Sequence, residues 1–338
     1  MHRLPAASET GLLGVMHLKR AWARVGLQKT RSVGYDPIEG HRDRLVFHAL
    51  GLGLEQALQF LGRTDPTFED FERWIVDVTG GVSPDQVGRI NANVTGVPPP
   101  PAIAAWLHEI DAHEPVLSAD DLAFWHEHGY VIVHNAIPEK TRLAALDAVL
   151  SFRGARLDDP ESWYRGSQSI MLQYFQHPAF DANRRATRVH KAYAQLWGSA
   201  DLWVTTDRVG FKVPERPGWT FQGPDLHWDT SLSRPMAFST QGILYLTDTA
   251  ADQGAFTCVP GFHRRIDAWL DSLPPGADPR QQDLHALGSK PIAGRVDDLI
   301  IWHDALPHGS SLNRGNVPRI VQYIAMYPFE QKFAPTWS

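Results

Sequence analysis

The chain has 338 residues, room for one large domain or two ordinary ones, and its 43% apolar and 21% charged residues are the balance of a soluble globular protein. A net charge of -6 is the wrong sign for a nucleic-acid footprint, which needs a basic face. A single cysteine, Cys258, excludes an internal disulfide and a thiolate metal cage and fits a reducing cytoplasm, and the apolar stretch 11–16 is too short for a secretory core or a membrane span.

Taken in order, residues 12–25 suggest a short helix. Over 41–61 the apolar positions Leu45, Val46, Ala49, Leu52, Ala57, Leu58 and Leu61 suit one face of a single helix. Asp65-Pro66 reads as an N-cap and first helical residue, opening a helix with Phe68, Phe71, Trp74, Ile75 and Val78 on one side and Gly80-Gly81 as its stop. Ser83-Pro84-Asp85-Gln86 has the form of a capping box with proline at N1. The opening part is therefore helical.

Val97 and the four prolines that follow mark the clearest boundary, a stiff polyproline spacer. It divides a helical extension, 1–116, from a second part, 117–338. Beyond it, 102–113 reads as a helix, Ser118-Ala119-Asp120-Asp121 caps another that stops at Gly129, and Tyr130-Val131-Ile132-Val133 is the first convincing strand. A helix over 138–152 follows. From Trp203 the texture becomes β: 203–213, 242–247, 255–259, 299–302 and 320–326 are short runs broken by glycine and proline turns such as Pro260-Gly261. Such strands indicate an antiparallel barrel or sandwich.

Three features of this β part belong together. Leu226-His227-Trp228-Asp229-Thr230 offers an imidazole and a carboxylate two positions apart, which strand geometry sends to one face. His308 follows the apolar run 299–302, and Arg319 opens the next run. A metal on His227, Asp229 and His308 would have a two-histidine, one-carboxylate face with open positions opposite. The arginine fork of Arg319 would grip the far end of an anionic dicarboxylate, with Arg314 as a rival in the polar turn. His303, inside the run, is expected to pack or hydrogen-bond nearby. With 16 histidines, spacing must choose the ligands: His41-Arg42-Asp43 repeats the pattern but lies in a charged helical cluster, so a solvated helix face is its expected role. Trp228 and Trp302 flank the ligands, as pocket walls or as packing. Arg208 and Lys212 alternate along 203–213 and face either an anionic ligand or structural partners, and Gln173, on a strand expected over 170–175, is a further pocket candidate.

LHWDT, QGILYLTDTAADQGAFTCVPGFHRR and GRVDDLIIWHDALPHGSSLNRGNVPR, with the opening LAFWHEHGYVIV element, resemble in this order the phytanoyl-CoA dioxygenase (PhyH-like) family of Fe(II)/2-oxoglutarate-dependent oxygenases. The likeness spans residues 117–328; the turn here reads PGFH where the family has PGSH, and the extension lies outside it. The resemblance implies an α+β fold: a double-stranded β-helix (jelly-roll, cupin-like) barrel with flanking helices. It implies Fe(II) on His227, Asp229 and His308, with 2-oxoglutarate held by Arg319 and the hydroxyl of Ser310. Tyr245 is implied as an aromatic beside that cosubstrate, and Arg208, Trp228 and Gln173 are carried as substrate-side candidates. A carboxylate at Asp229 argues against halogenation, for which relatives carry a small residue there.

The activity so implied is that of a dioxygenase acting on a small-molecule substrate, hydroxylating a C–H bond while O2 and 2-oxoglutarate become succinate and CO2. Two alternatives stay open: a zinc-dependent hydrolase on the same triad, and a catalytically silent metal-binding barrel. The extension's apolar faces are expected to dock on the barrel or on a second subunit, giving a homo-oligomer, close to the substrate entrance. No membrane partner is expected.

Overall fold

The computed structural model describes residues 4–29, 33–34, 36–166, 169–221 and 225–334. Helices come first: Leu18–Lys29 (α1), Pro37–Ala49 (α2), Leu54–Thr64 (α3), Phe68–Thr79 (α4), Pro84–Thr95 (α5), Pro101–Ala112 (α6) and Ala119–His128 (α7). Then follow Tyr130–Val133 (β1), Glu139–Arg153 (α8), Met171–Leu172 (β2), Pro178–Arg184 (α9), Thr187–Trp197 (α10), Trp203–Val204 (β3), Val209–Lys212 (β4), Thr240–Tyr245 (β5) and Phe256–Cys258 (β6). Ile266–Ser272 (α11), Lys290–Ile292 (β7), Leu299–His303 (β8), His308–Ser310 (β9), Arg319–Tyr323 (β10) and Met326–Tyr327 (β11) complete the order. The fold is α+β, with every strand pairing antiparallel. None of the described helices is long and apolar enough to cross a membrane.

The described strands form three sheets: six strands in the order β1-β8-β5-β10-β4-β2, three in the order β7-β6-β9, and the pair β11-β3. In the large sheet most residues are buried, yet the period of two survives as a choice of core. Leu244, Leu299, Ile301 and Ile320 pack on one face with Val149, Phe180, Val189 and Tyr193 of the helices. Ile243, Tyr245, Ile300, Trp302 and Val321 leave the other face and meet Phe256 and Cys258 of the three-stranded sheet. Gly242 is required on the helix side, because the Tyr193 hydroxyl donates to the Ile324 carbonyl at 2.6 Å in the space a Cβ would occupy.

The helical extension is welded to the rest. Leu45, Phe47, Phe71 and Ile75 share a core with Trp203, Ala325, Tyr327 and Phe329. Several local expectations change here. The helix over 41–61 is two, because the chain turns at Gly51, whose φ of 79° glycine reaches without strain. Asp65 closes α3, and Thr67 caps α4 by accepting from the Asp70 N–H. Ser83 and Ser118 do form capping boxes. The run 203–213 is broken between two sheets, as is 320–326. His41 and Asp43 do not form a solvated face: they are 4% and 6% exposed. Asp43 lies 2.8 Å from His17 and 2.6 Å from Arg24, and His41 donates to the Pro328 carbonyl at 2.9 Å. Tertiary packing buried the pair and supplied the partners that such burial demands.

Candidate metal centre

His227 lies outside any strand, but its backbone is held by two reciprocal bonds with His308 on β9: each N–H donates to the other carbonyl at 2.9 Å. That bridge sets the two imidazoles beside each other, with ring centres 4.9 Å apart. Asp229, two residues on, places one carboxylate oxygen 3.3 Å from His227 Nε2 and the other 3.3 Å from His308 Nε2. One ligand atom from each of the three lies within 4.8 Å of the others.

The second nitrogens fix the tautomers. His227 Nδ1 is 2.8 Å from the Asp225 carbonyl and His308 Nδ1 is 3.1 Å from the Leu306 carbonyl. A carbonyl only accepts, so each Nδ1 donates to it and Nε2 is the nitrogen aimed at Asp229: protonated, it donates to the carboxylate; deprotonated, it offers its lone pair to a metal. This is the arrangement that a metal-ligating histidine needs. Burial works against the Asp229 charge, but hydrogen bonds from His227 and His308 outweigh it and hold the carboxyl far below the usual range. Burial likewise disfavours the His227 cation, while Asp229 and the Asp225 carbonyl more than compensate and raise it. An anion between two imidazoles is the donor set for a divalent metal of intermediate softness.

The triad opens into a cavity of about 560 Å3 whose lining includes Trp302, Phe256, Ser310, Arg319 and Tyr323. Arg319 is 1% exposed; among the described residues its guanidinium donates to the Tyr323 hydroxyl at 3.5 Å and its Nε has no partner. Among the described residues the buried Trp302 indole N–H also has no partner. A buried guanidinium with no counter-charge is a strong demand for an anionic ligand. Ser310 stands on the same wall, its hydroxyl accepting from Lys212 Nζ at 2.9 Å. Burial first, then Arg319, lowers the Lys212 ammonium to about 7. His308 and Arg319 do not come from paired strands: β9 belongs to the three-stranded sheet and β10 to the large one, so they reach one cavity from different sheets.

The other candidates separate. Tyr245 shares a face with Gln241 and Ile243 but does not line the cavity; its hydroxyl donates to the Ile292 carbonyl and accepts from the Phe256 N–H. Tyr323 is the tyrosine beside Arg319 instead. Trp228 packs on Phe262 and Trp269, donating to the Ala305 carbonyl, away from the cavity. Gln173 is exposed and bonds Glu55; the expected strand shrinks to β2, and Ser169 to Met171 line the cavity in its place. Arg208 does line it, paired with Asp207 and with Glu55 of α3, so the helical extension reaches the rim. His303 accepts from the Ala305 N–H, and Arg314 is exposed. Gln241 escaped the sequence reading although it donates to Asp229 at 3.3 Å. Its alternation with Ile243 and Tyr245 was the available signal.

A family model described as phytanoyl-CoA dioxygenase (PhyH) matches residues 125–321. A Dictyostelium discoideum protein, whose name assigns it provisionally to the phytanoyl-CoA dioxygenases, is 22% identical over 259 residues, 61% of this chain and 74% of its own. Among solved structures, EctD from S. alaskensis with bound Fe is 17% identical, covering 64% of this chain and 82% of its own at a TM-score of 0.44. HygX from Streptomyces hygroscopicus, with nickel and 2-oxoglutarate bound, is 13% identical, covering 63% and 88% at a TM-score of 0.44.

Proposed function

The chain belongs to the phytanoyl-CoA dioxygenase family, and on that premise we propose that it is an Fe(II)- and 2-oxoglutarate-dependent dioxygenase that hydroxylates a C–H bond of a small-molecule metabolite. The observation that carries this reading is one cavity holding both a two-histidine, one-carboxylate triad and a buried arginine with no anionic partner among the described residues. His227, Asp229 and His308 would hold the iron. Iron, O2 and 2-oxoglutarate together supply the oxidation, in which one oxygen atom enters the substrate and the other enters succinate as CO2 leaves.

The chain's own work is binding and orientation. Arg319 pairs with the distal carboxylate of the cosubstrate, and Ser310 donates to it. Gln241 steadies the Asp229 carboxylate, while the Asp225 and Leu306 carbonyls keep both imidazoles in the ligating tautomer. Trp302, Phe256 and Ile243 exclude water from the reacting end. In the same reading the six- and three-stranded sheets are the two halves of a double-stranded β-helix within residues 117–338. Residues 1–116 form a fixed layer that places Glu55 at the cavity rim. Succinate release tests the assignment. It is expected only with Fe(II), O2 and 2-oxoglutarate together, and to rise with the true substrate from a metabolite pool. Hydrolytic turnover with zinc and no 2-oxoglutarate would sink it.

A further inference from the structure

Lys212 ends β4 directly opposite Arg319 in the antiparallel pairing with β10. Register partners send their side chains to the same face, so two cations leave the large sheet side by side. They are 2% and 1% exposed. Among the described residues neither makes an ion pair, and no aspartate or glutamate occurs among the remaining residues of the sequence. Glu215 acts favourably on Lys212 without an ion pair, and it lines a small adjoining cleft together with Lys212 and Arg153 of α8. Lys212 is instead surrounded by dipoles: the Ser310 hydroxyl at 2.9 Å, the Ser311 carbonyl at 2.5 Å, and the ring of Phe221 with its centre at 3.6 Å. Two adjacent buried cations without an ion-pair partner are costly, as the depressed Lys212 ammonium shows, and an anion between or beside them would relieve that cost.

The bond to Ser310 has a direction. An ammonium has donors and no acceptor, so the Ser310 oxygen must accept and its own proton must turn elsewhere. Ser310 lines the cavity, as does Arg319. We propose that Lys212 is a positioning residue of the cosubstrate subsite: it turns the Ser310 hydroxyl proton into the cavity and adds a second positive charge behind it, so that this end selects a keto acid carrying a distal carboxylate. The inference rests on the oxygenase reading above and deepens it. A structural tie between β4 and the segment after β9 would use the same bonds, so the test must separate the two.

The full chain, loaded with Mn(II) so that no turnover occurs, is titrated by calorimetry with 2-oxoglutarate and with 2-oxobutyrate, which keeps the keto-acid head but lacks the distal carboxylate. In Lys212→Met the affinity for 2-oxoglutarate is expected to fall roughly ten- to a hundredfold, the range for one charge-assisted hydrogen bond. The affinity for 2-oxobutyrate should hardly move, and the melting temperature of the ligand-free protein should stay or rise, because a repulsion has gone. Lys212→Arg recovers part of the preference. Ser310→Ala loses a comparable share, and the double variant loses little more than either single one. An unchanged preference in Lys212→Met overturns the proposal and leaves the oxygenase reading standing. An equal loss for both ligands with a lower melting temperature also overturns it, since that is a structural tie. A wild-type protein that binds Mn(II) but neither keto acid removes both readings together.

Discussion

Replacing Arg319 by methionine is the sharpest test of the cavity's polarity. The guanidinium is almost fully buried and has no anionic partner among the described residues, so the side chain contributes little to the ligand-free protein and much to the loaded one. A charge pair at 4 Å with an effective dielectric constant near 20 is worth about 4 kcal/mol, and truncating one member of a buried pair costs about 2–5 kcal/mol. Affinity for 2-oxoglutarate should therefore drop about 30-fold to several thousandfold. Thermal unfolding of the Mn(II)-loaded protein reads this without catalysis. At a ligand concentration of about 100 times Kd the wild type gains roughly 2.7 kcal/mol. With an unfolding entropy near 2.1 cal/mol/K per residue over 338 residues, that is a rise of about 4 °C. The variant at the same concentration should rise by about 1 °C or less, and its ligand-free melting temperature should not fall. Arg314→Met, changing an exposed residue, should behave as wild type. Equal ligand-induced shifts in wild type and Arg319→Met, with the shift lost in Arg314→Met, would refute the reasoning and move the anchor.

His227→Ala, Asp229→Ala and His308→Ala are each expected to abolish metal binding in calorimetry and iron-dependent succinate release while the circular dichroism spectrum is kept; His303→Ala should retain both, and the reverse pattern at 303 and 308 would unseat the triad. Asp43→Ala leaves Arg24 and His17 buried without their carboxylate and should cost about 3–5 kcal/mol in urea unfolding; a loss under about 1 kcal/mol, the worth of an exposed pair, would contradict it. A fragment of residues 117–338 would expose Trp203, Tyr327 and Phe329, so size-exclusion chromatography should show aggregation, and a monodisperse fragment would mean that the extension is dispensable for folding. For Lys212 the folded value of about 7 lies below the ordinary 10.5 of a free lysine. Between these limits the unfolded chain binds the extra proton, so ligand-free stability should climb as pH rises from 7 toward 10.5 and lose that contribution below 7. The difference between wild type and Lys212→Met across a pH series of melts isolates it, and a flat difference counts against the burial of this charge.

The sequence by itself determined whatever depends on near neighbours. Ser83 and Ser118 announce their helices because a cap bonds an N–H three residues away, and Tyr130–Val133 reads as a strand because β-branched and aromatic residues stand together. His227, Asp229, His308 and Arg319 could be singled out as one candidate site because a two-residue His–Asp spacing and an arginine opening an apolar run are patterns along the chain, and the fold brings them to one cavity. Tertiary structure decided what depends on strand pairing and on who covers whom. His308 and Arg319, eleven residues apart, went to different sheets, because β6 and β4 with β5 offered them separate partners. Tyr245 and Tyr323 both face inward, but their depth along the sheet, which no local pattern encodes, gave Tyr323 the hydrogen bond from Arg319 and tied Tyr245 to the Ile292 carbonyl. His41 and Asp43 look solvated until Pro328, His17 and Arg24 close over them. Lys212 became a partner of Arg319 through register alone: a residue's charge is written in the chain, but the company it keeps when buried is set by the fold.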